Sequence, residues 1–259
     1  MTTQKEKAEL FTSLHIKGTP VILFNVWDAG SARTIEQVGA KAIATGSWSV
    51  AAANGFDDGE KVPIDLVFAN LERIVSSVAL PVTLDFEGGY ATNLGELKEN
   101  IRRLIAAGGI GINFEDRIVA GDGLHSIADQ AARIEAIRDA AETAGVPLFI
   151  NARTDVFLET YPAVHDENQL QQAVERAEAY AKAGASGFFA PGLRDPNLIK
   201  KLCDASTLPV NILVLPDTPT TETMAALGVA RISYGASPYR LMMAALKEAG
   251  EKAIGSSSV

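Results

Sequence analysis

Short apolar runs alternate with longer segments of helical periodicity along almost the whole chain. The runs are rich in β-branched residues and have the length of strands. The longer segments repeat apolar residues every three or four positions, and several end in glycine, as in 94–108, 127–145 and 169–184. Eight strands are predicted in this way, at 21–26, 41–45, 82–86, 111–115, 147–151, 187–190, 209–214 and 229–233.

The alternation of strands and helices predicts the fold. Nearly continuous apolar strands separated by helices indicate a parallel sheet that is covered by helices. Eight such units in 259 residues predict an α/β fold, a single (β/α)₈ TIM barrel that spans residues 1–259 as one domain. An open doubly wound sheet is the alternative. It would favour a glycine-rich phosphate loop after the first strand, and the sequence NVWDAGSAR has no GxGxxG there.

Composition narrows the class of protein. The formal net charge of −9 and the lack of a basic stripe argue against a nucleic-acid partner. The single cysteine, Cys203, excludes an internal disulfide and a cysteine-based metal cluster. No apolar run approaches the ~20 residues of a membrane span, and the polar start MTTQKEKAEL does not resemble a signal peptide. We therefore expect a cytoplasmic protein without a membrane or nucleic-acid partner.

In a barrel of this type, active sites lie at the carboxyl ends of the strands. Several carboxylates and one arginine fall at these ends. No strand ends in lysine or histidine, which disfavours a Schiff-base aldolase and a zinc site. The polar and glycine residues predicted at this edge are Asn25, Asp28, Gly46, Ser47, Trp48, Asp85, Glu87, Glu115, Asp116, Asn151, Arg153, Asn211 and Ser233.

The stretch VTLDFEGGYA shows the chemistry of this edge most clearly. Asp85 and Glu87 are two residues apart, so a continuing strand would point both to one face. Like charges this close require a shared proton or a cation. Oxygen ligands without histidine or cysteine favour Mg²⁺ or Mn²⁺. The alternative is that these acids are structural and pair with Arg153 or with helix N-termini.

Five segments together resemble one known family. LDFEGGYA, GSWSVAAANGFDDGE, GINFED, NARTD and PVNIL occur in order on the predicted strands and resemble motifs of the isocitrate lyase/phosphoenolpyruvate mutase superfamily over residues 15–245. The resemblance implies a barrel that binds Mg²⁺ and a small 2-oxo acid and that makes or breaks a C–C or P–C bond through an enolate. It also implies a homo-oligomer, a dimer or tetramer, with the last helix swapped between neighbours.

The resemblance also implies roles for individual residues. Asp85 would bind the metal directly, and Asp58, Glu87 and Glu115 would hold its coordinated waters. Arg153 would grip the substrate carboxylate or the enolate oxygen, and Arg153, Asp58 and Glu115 form the predicted catalytic set. The predicted substrate-binding residues are Gly46, Ser47, Trp48, Asp85, Arg153 and Asn211, with backbone N–H groups of the first three around a carboxylate.

The chain departs from the best-known branches of that superfamily in two places. The loop EDRIVAGDGLHSI contains neither the cysteine of the isocitrate and methylisocitrate lyases nor the lysine of the phosphonomutases, near whose position Gly121 lies. Pro191 stands where phosphonopyruvate enzymes carry histidine. We therefore predict a Mg²⁺-dependent lyase or decarboxylase of a small 2-oxo acid. A non-catalytic 2-oxo-acid binder, or a hydrolase or mutase of the same superfamily, are the alternatives.

Overall fold

The computed structural model describes residues 2–119, 121–161 and 165–255. In these residues all eight predicted strands are present and run parallel to their neighbours. They are β1 (Val21–Leu23), β2 (Ile43–Ala44), β3 (Val82–Asp85), β4 (Gly111–Glu115), β5 (Phe149–Arg153), β6 (Gly187–Phe189), β7 (Val210–Leu213) and β8 (Arg231–Ser233).

Helices connect and surround the strands. They are α1 (Gln4–Ser13), α2 (Ala29–Gln37), α3 (Ser47–Ala53), α4 (Ile64–Ser77), α5 (Leu94–Ala106), α6 (Ile127–Thr143), α7 (Glu167–Lys182), α8 (Pro196–Ala205), α9 (Thr221–Ala226) and α10 (Ser237–Gly255).

The sheet curls into a nearly closed barrel. Its order is β1-β8-β7-β6-β5-β4-β3-β2, so β1 and β2 form the two edges. Just beyond these strands, Val26 and Thr45 form a parallel bridge, and the Val26 N–H donates to the Ala44 carbonyl at 2.9 Å. The architecture confirms the predicted (β/α)₈ TIM barrel.

One strand boundary matters for the site. Residues 147–151 were the predicted fifth strand, whereas β5 begins at Phe149 and ends at Arg153. Pro147 has no N–H to donate to a ladder, and the Leu148 N–H instead donates to Val146. Arg153 is therefore the last residue of the strand, with its backbone fixed by pairing to Glu115.

Local sequence signals explain where the helices begin and end. Asn93 precedes α5, and its side chain accepts the Glu96 N–H at 2.9 Å. After α5 the chain turns at Gly108, where φ is +90° and a Cβ would lie 2.7 Å from Val75. Only glycine fits there without a backbone or side-chain shift.

The outward-facing residues of the strands are apolar, and several of the inward-facing residues are polar. By the alternation of strand side chains, Ile112, Ile150 and Ile232 face the surrounding helices, where they are fully buried. The neighbouring residues Asn113 and Arg231 face the barrel interior, where a hydrogen bond of 3.0 Å joins them. Polar residues inside the barrel thus lie directly below the polar side chains at the carboxyl ends of the strands.

Helix α1 packs against the amino end of β5. The Phe11 ring contacts the Phe149 ring at 5.2 Å between centroids, and the His15 ring stacks on Phe149 at 4.0 Å. The Gln4 side chain donates to the carbonyls of Ile105 and Gly109 at 2.8 Å each. This helix ties the start of the chain to the end of the barrel opposite the predicted site.

Helix α10 leaves more large apolar side chains in solvent than any other described helix. Leu241 is 64% exposed and Leu246 is 62% exposed, and Pro238 is its only buried residue. The predicted exchange of this helix between neighbours stays a prediction. Across the part of the chain that the structure describes, none of the helices combines the length and apolarity of a membrane span.

Candidate active site

Two adjoining cavities lie at the carboxyl ends of the strands. Their volumes are about 260 and about 140 Å³, and both are lined by Ser47, Asp58 and Arg153. The larger cavity is also lined by Gly59, Lys61, Glu87, Glu115, Arg117 and Val119. The smaller one adds Asn25, Gly46, Trp48, Asp85, Asn113, Leu158, Phe189, Pro191, Leu213, Ser233, Gly235 and Ala236.

Asp85 ends β3 at the floor of the smaller cavity. Its Oδ2 accepts the Ser47 backbone N–H at 3.0 Å, and its Oδ1 accepts the Asn113 side-chain N–H at 3.2 Å. The Asp85 backbone N–H donates to the Thr45 hydroxyl at 2.9 Å. Each carboxylate oxygen has two acceptor positions, so these bonds orient Asp85 and leave room for a cation.

Glu87 does not continue the strand. The expectation that Asp85 and Glu87 point to one face because they alternate along a strand was therefore wrong. β3 ends at Asp85, and Glu87 has φ of +49°. Its carboxylate nevertheless reaches the larger cavity, where Oε2 accepts the backbone N–H groups of Gly59 and Glu60 at 2.9 and 2.8 Å. Burial, followed by the charge of Asp58, raises the pKa of Glu87 to about 7.

The turn beside Glu87 holds an unusual backbone conformation. Among the described residues, four residues other than glycine have positive φ, and three of them, Glu60, Glu87 and Tyr90, are bonded to one another. The Tyr90 N–H donates to Glu60 Oε1 at 2.7 Å, and the Tyr90 hydroxyl donates to Glu87 Oε1 at 3.0 Å. Strained backbone positions persist only where surrounding hydrogen bonds and packing hold them, and in known proteins they cluster at functional sites.

Asp58 lines both cavities from the solvent side. The residue as a whole is exposed, while its carboxylate faces the cavities and interacts with the Ser47 hydroxyl. Burial of the carboxylate, followed by the charge of Asp85, raises the pKa of Asp58 above its ordinary value. Asp58, Asp85 and Glu87 therefore repel one another.

Arg153 is held by two acids. Its Nε and Nη2 donate to the two carboxylate oxygens of Asp155 at 2.6 and 2.9 Å, and its Nη1 lies 2.8 Å from Glu115 Oε2. Burial alone would lower the pKa of Arg153, but Glu115 and Asp155 raise it above its ordinary value. A guanidinium carries five N–H donors, so two remain for a ligand once these three contacts are made.

Glu115, like Glu87, is buried, with 6% of its surface exposed. Burial raises the pKa of Glu115, the Arg153 charge opposes the rise, and Asp155 and Asp85 add to it. Burial and the neighbouring acids thus favour the neutral form of Glu115, whereas Arg153 and any cation that enters the site favour its charged form.

The donor set fits Mg²⁺ or Mn²⁺. Asp58, Asp85, Glu87 and Glu115 supply only oxygen atoms, and no described histidine or cysteine lines either cavity. Within the described ranges, no three His, Cys, Asp or Glu side chains converge closely enough to hold one ion together. Mg²⁺ keeps several waters and uses one or two carboxylates. Because this ion needs only one or two carboxylates, the oxygen donors of these residues fit Mg²⁺ without a tighter cluster.

A model of one protein family, described as phosphoenolpyruvate phosphomutase, matches residues 11–254 of this chain. The chain belongs to the phosphoenolpyruvate phosphomutase family. The resemblance to the isocitrate lyase/phosphoenolpyruvate mutase superfamily is thereby confirmed.

Relatives in this family include enzymes with different reactions. The chain is 28% identical to 2-methylisocitrate lyase of Escherichia coli over 242 residues, which cover 90% of this chain and 79% of that enzyme. It is 29% identical to oxaloacetate decarboxylase of a Bradyrhizobium strain over 209 residues, covering 79% and 68%. Family membership therefore indicates an enzyme family without selecting one reaction.

Solved structures of the family share the architecture. A candidate phosphonomutase from Burkholderia cenocepacia J2315 has a TM-score of 0.94 and 50% identity, over 97% of this chain and all of that one. A phosphonopyruvate hydrolase in complex with oxalate and Mg²⁺ has a TM-score of 0.83 and 20% identity, over 96% and 88%. The second likeness shows the fold alone.

The structure corrects the predicted carboxylate cradle at the start of α3. The Ser47 N–H donates to Asp85, and the Gly46 N–H donates to the Val26 carbonyl at 3.2 Å. Two of the three N–H groups predicted to hold a substrate carboxylate therefore have partners in the protein. Gly46, Ser47 and Trp48 still line the smaller cavity.

Asn211 was predicted to contact substrate, and the structure places it below the cavity instead. It is 1% exposed and does not line either cavity, and its Oδ1 accepts the Ser233 hydroxyl at 3.2 Å. β7 continues for two residues beyond Asn211 to Leu213, and Leu213 and Ser233 form the rim there. The predicted strand at 209–214 already placed Asn211 within the strand, so it should not have been counted among the residues at the strand ends.

The loop after β4 borders the site but directs its histidine elsewhere. Arg117 and Leu124 form an antiparallel bridge, and Arg117 and Val119 line the larger cavity. His125 lines a separate cavity of about 430 Å³ on the far side of this loop. Asp116, at the base of the loop, is fully buried and accepts hydrogen bonds from Arg176 and Tyr180 at 2.9 and 2.8 Å.

Sequence reasoning missed two residues that shape the site. Asp155 holds the Arg153 side chain, and Asn113 bonds to Asp85. Each lies two positions from a predicted site residue, Asp155 from Arg153 and Asn113 from Glu115. The same two-residue spacing that selected Asp85 and Glu87 would have found both.

Proposed function

We propose that this protein is a Mg²⁺-dependent lyase that cleaves a C–C bond of a small 2-oxo carboxylic acid through an enolate, most simply by decarboxylation. The observation that carries the proposal is a group of four acidic side chains, Asp58, Asp85, Glu87 and Glu115, which line two adjoining cavities around the fixed guanidinium of Arg153. Such a group is suited to a divalent cation beside an anionic substrate.

Each acidic residue has a distinct part in this proposal. Asp85 binds the cation, because its two oxygens are oriented by Ser47 and Asn113 and keep free acceptor positions. Asp58, Glu87 and Glu115 accept hydrogen bonds from the waters around it. When bound, the cation supplies Lewis acidity that stabilises negative charge on the 2-oxo oxygen.

Arg153 holds the substrate carboxylate with its two remaining N–H donors. Asp155 and Glu115 prevent the guanidinium from turning away, so its orientation is set before the substrate arrives. Fixed donors that require no rearrangement during reaction are the most effective form of electrostatic catalysis. Arg153 also offsets the negative charge that the substrate adds to an acidic site.

The departures from the superfamily motifs favour decarboxylation. Pro191 lines the smaller cavity at the position where phosphonopyruvate enzymes carry histidine. The described part of the 117–126 loop contains neither lysine nor cysteine. Loss of CO₂ needs no base, whereas retro-aldol cleavage must remove a hydroxyl proton. The relative named oxaloacetate decarboxylase supports the same reading.

A non-catalytic 2-oxo-acid binder is the second candidate, and the same loop composition favours it. A site without an evident proton donor near the enolate carbon could bind without turning over. A hydrolase of the same family would need a residue that activates water, and a mutase would need residues that bind a phosphonate. We can assign neither role to the described residues that line the two cavities.

The test is incubation with a panel of 2-oxo acids, including oxaloacetate, in the presence of Mg²⁺ or Mn²⁺, with product analysis by NMR. The proposal expects metal-dependent release of CO₂ or of a smaller carbonyl product. Asp58→Asn should lower the rate, and Asp57→Asn, which alters an exposed neighbour outside both cavities, is the matched control. Binding without any product would contradict the lyase proposal and support the binder.

We also propose that the protein is a homo-oligomer, a dimer or tetramer. The exposed apolar residues of α10 are the supporting observation, because a helix with such a face normally packs against another surface. Mass measurement of the native particle would test this, and a monomer at micromolar concentration would contradict it.

A further inference from the structure

An unusual arginine lies inside the barrel below the site. Arg231 begins β8 and is only 1% exposed. Its Nη2 donates to Asn113 Oδ1 at 3.0 Å, and its Nε lies 3.4 Å from the Ser233 hydroxyl. Its Nη1 is buried and has no hydrogen-bond partner in the described structure. No described carboxylate lies within ion-pair distance of it.

This arrangement is unfavourable for stability. A buried cation without an adjacent anion loses hydration, and the contacts of Arg231 with Asn113, Ser233 and the Phe11 ring replace it only in part. Burial lowers the pKa of Arg231 to about 9, and the charge of Asp85 opposes that decrease. A barrel interior is ordinarily filled by branched aliphatic side chains, so Arg231 needs a reason other than packing.

The hydrogen bonds of Asn113 supply that reason. Asn113 Oδ1 receives two donors, Arg231 Nη2 and Asn151 Nδ2, the second at 2.9 Å. An amide whose oxygen receives two N–H groups must direct its own NH₂ the other way. That NH₂ donates to Asp85 Oδ1 at 3.2 Å. A continuous path of hydrogen bonds therefore leads from Arg231 through Asn113 to Asp85.

We infer that Arg231 is a positioning residue for metal binding, and that it acts by fixing the Asn113 amide so that it orients Asp85. The inference rests on the proposed function in taking Asp85 as the direct ligand. With Arg231 removed, Asn151 is the one remaining donor to Asn113 Oδ1, so the amide is held less firmly and can turn to present its oxygen to Asp85. Two oxygen acceptors would then face each other at the metal site.

The competing explanation is that Arg231 is purely structural. Thermal stability distinguishes this explanation from a role in positioning Asp85. Removing an unpaired buried charge should not destabilise the fold much, since similar replacements are often neutral or stabilising. Arg138 offers a matched control. It is a partly buried arginine in the helical layer, and it donates to the Gly184 carbonyl and the Ser186 hydroxyl at 2.8 and 2.9 Å.

The experiment measures Mn²⁺ affinity by electron paramagnetic resonance, together with thermal unfolding without metal. Arg231→Gln should weaken Mn²⁺ binding at least ~10-fold, the effect typical of losing a residue that orients a metal ligand. Its unfolding temperature should stay close to that of the wild type. Arg138→Gln should lower the unfolding temperature and leave Mn²⁺ affinity within about twofold.

Two further variants keep the inference falsifiable. Asn113→Ala should weaken Mn²⁺ binding as much as Arg231→Gln, and the double variant should bind no more weakly than Asn113→Ala alone, because both changes break one path. If Arg231→Gln does not fold, Arg231→Lys takes its place in this cycle. It keeps the charge, loses the planar fork and should still weaken binding.

Three results would distinguish failure of this inference from failure of the proposed function. Wild-type Mn²⁺ affinity in the Arg231 variants would overturn the inference while leaving the proposed metal site intact. Effects that multiply in the double variant would also overturn it, because Arg231 would then act independently of Asn113. Failure of the wild-type protein itself to bind Mn²⁺ would instead contradict the proposed function.

Discussion

The two faces of the barrel strands differ in polarity, although Leu23 and Phe149 on the inner face are apolar. Ile112, Ile150 and Ile232 face the helices and are fully buried in the apolar layer, whereas Asn113, Asn151 and Arg231 follow or precede them and face the interior. Apolar burial and tight packing stabilise the outer layer. The inner layer contains buried polar atoms without partners, among them Asn151 Oδ1 and Arg231 Nη1.

This difference indicates a division of labour between the faces. The outer face provides most of the free energy of folding, and the inner face orients the groups at the carboxyl edge. An unpaired buried polar atom costs about 1–3 kcal/mol, so the inner face reduces stability for the benefit of the site. Substitutions on the two faces should therefore separate stability from function.

The largest expected effect on activity comes from substituting Asp85 at the site itself. Asp85→Asn should lower metal-dependent kcat/KM at least ~1000-fold, or about 4 kcal/mol, because the direct ligand loses its charge. Without metal, its free energy of unfolding should be unchanged or higher, since one of several repelling carboxylates is neutralised. Kinetics and urea unfolding check this. A variant that unfolds while its metal affinity is unchanged would make Asp85 a structural acid.

A substitution on the outer face should have the opposite profile. Ile150→Ala removes a fully buried side chain between β5 and the helices and should cost about 3 kcal/mol of the free energy of unfolding. The Mn²⁺ affinity of the folded protein should not change. Urea unfolding and metal titration measure the two quantities. A large loss of affinity would show that the two faces are coupled and would contradict the division.

Substitution of Arg153 tests the part of the inner face that is proposed to hold the substrate carboxylate. Arg153→Lys keeps the charge but cannot donate to Asp155 and Glu115 in the same geometry. We expect kcat/KM to fall at least ~10-fold at saturating Mg²⁺, or about 1.4 kcal/mol. Asp155→Asn should produce a similar loss by freeing the guanidinium. Wild-type kinetics in both variants would show that Arg153 only balances charge.

The smallest expected effect concerns the opposite end of the interior. Burial, followed by the charge of Arg231, lowers the pKa of His15 to about 3, while the unfolded chain retains a value near 6.5. Between these values only the unfolded chain binds the proton, so this histidine makes stability fall as pH falls below about 6.5.

The measurement is the free energy of unfolding at about pH 7.5 and about pH 5.5. Wild-type protein should lose about 1 kcal/mol more than His15→Gln over this interval, because the variant has no proton to take up at that position. The same acid dependence in both proteins would show that His15 does not remain neutral in the folded state.

The fold was predictable because it depends on patterns that are local in sequence. All eight strands and the barrel follow from the alternation of apolar runs and amphipathic segments, and the structure confirms them. Asp85, Glu87, Glu115 and Arg153 were found because a barrel gathers its strand ends at one edge. Asp58 came from the family resemblance alone, whereas Gly46, Ser47 and Trp48 were also among the residues predicted at the strand ends.

What could not be predicted depends on where each strand stops and on contacts between distant residues. The turn at Glu87 replaced the expected pleat, whereas Asn211 could have been placed below the rim from the predicted strand 209–214 itself. The bond between Arg231 and Asn113 joins residues 118 positions apart. No periodicity relates them, so only the closed barrel reveals the contact.

The most direct test of the proposed site is a crystal structure with Mn²⁺ and oxalate, a stable mimic of the adjacent carboxylate and oxo groups of the substrate. We expect an anomalous peak at about 2.1–2.2 Å from an Asp85 carboxylate oxygen, a distance close to that of other small hard cations. Oxalate should contact both the ion and Arg153. Mn²⁺ bound away from Asp85, or oxalate bound without contact to Arg153, would contradict the account.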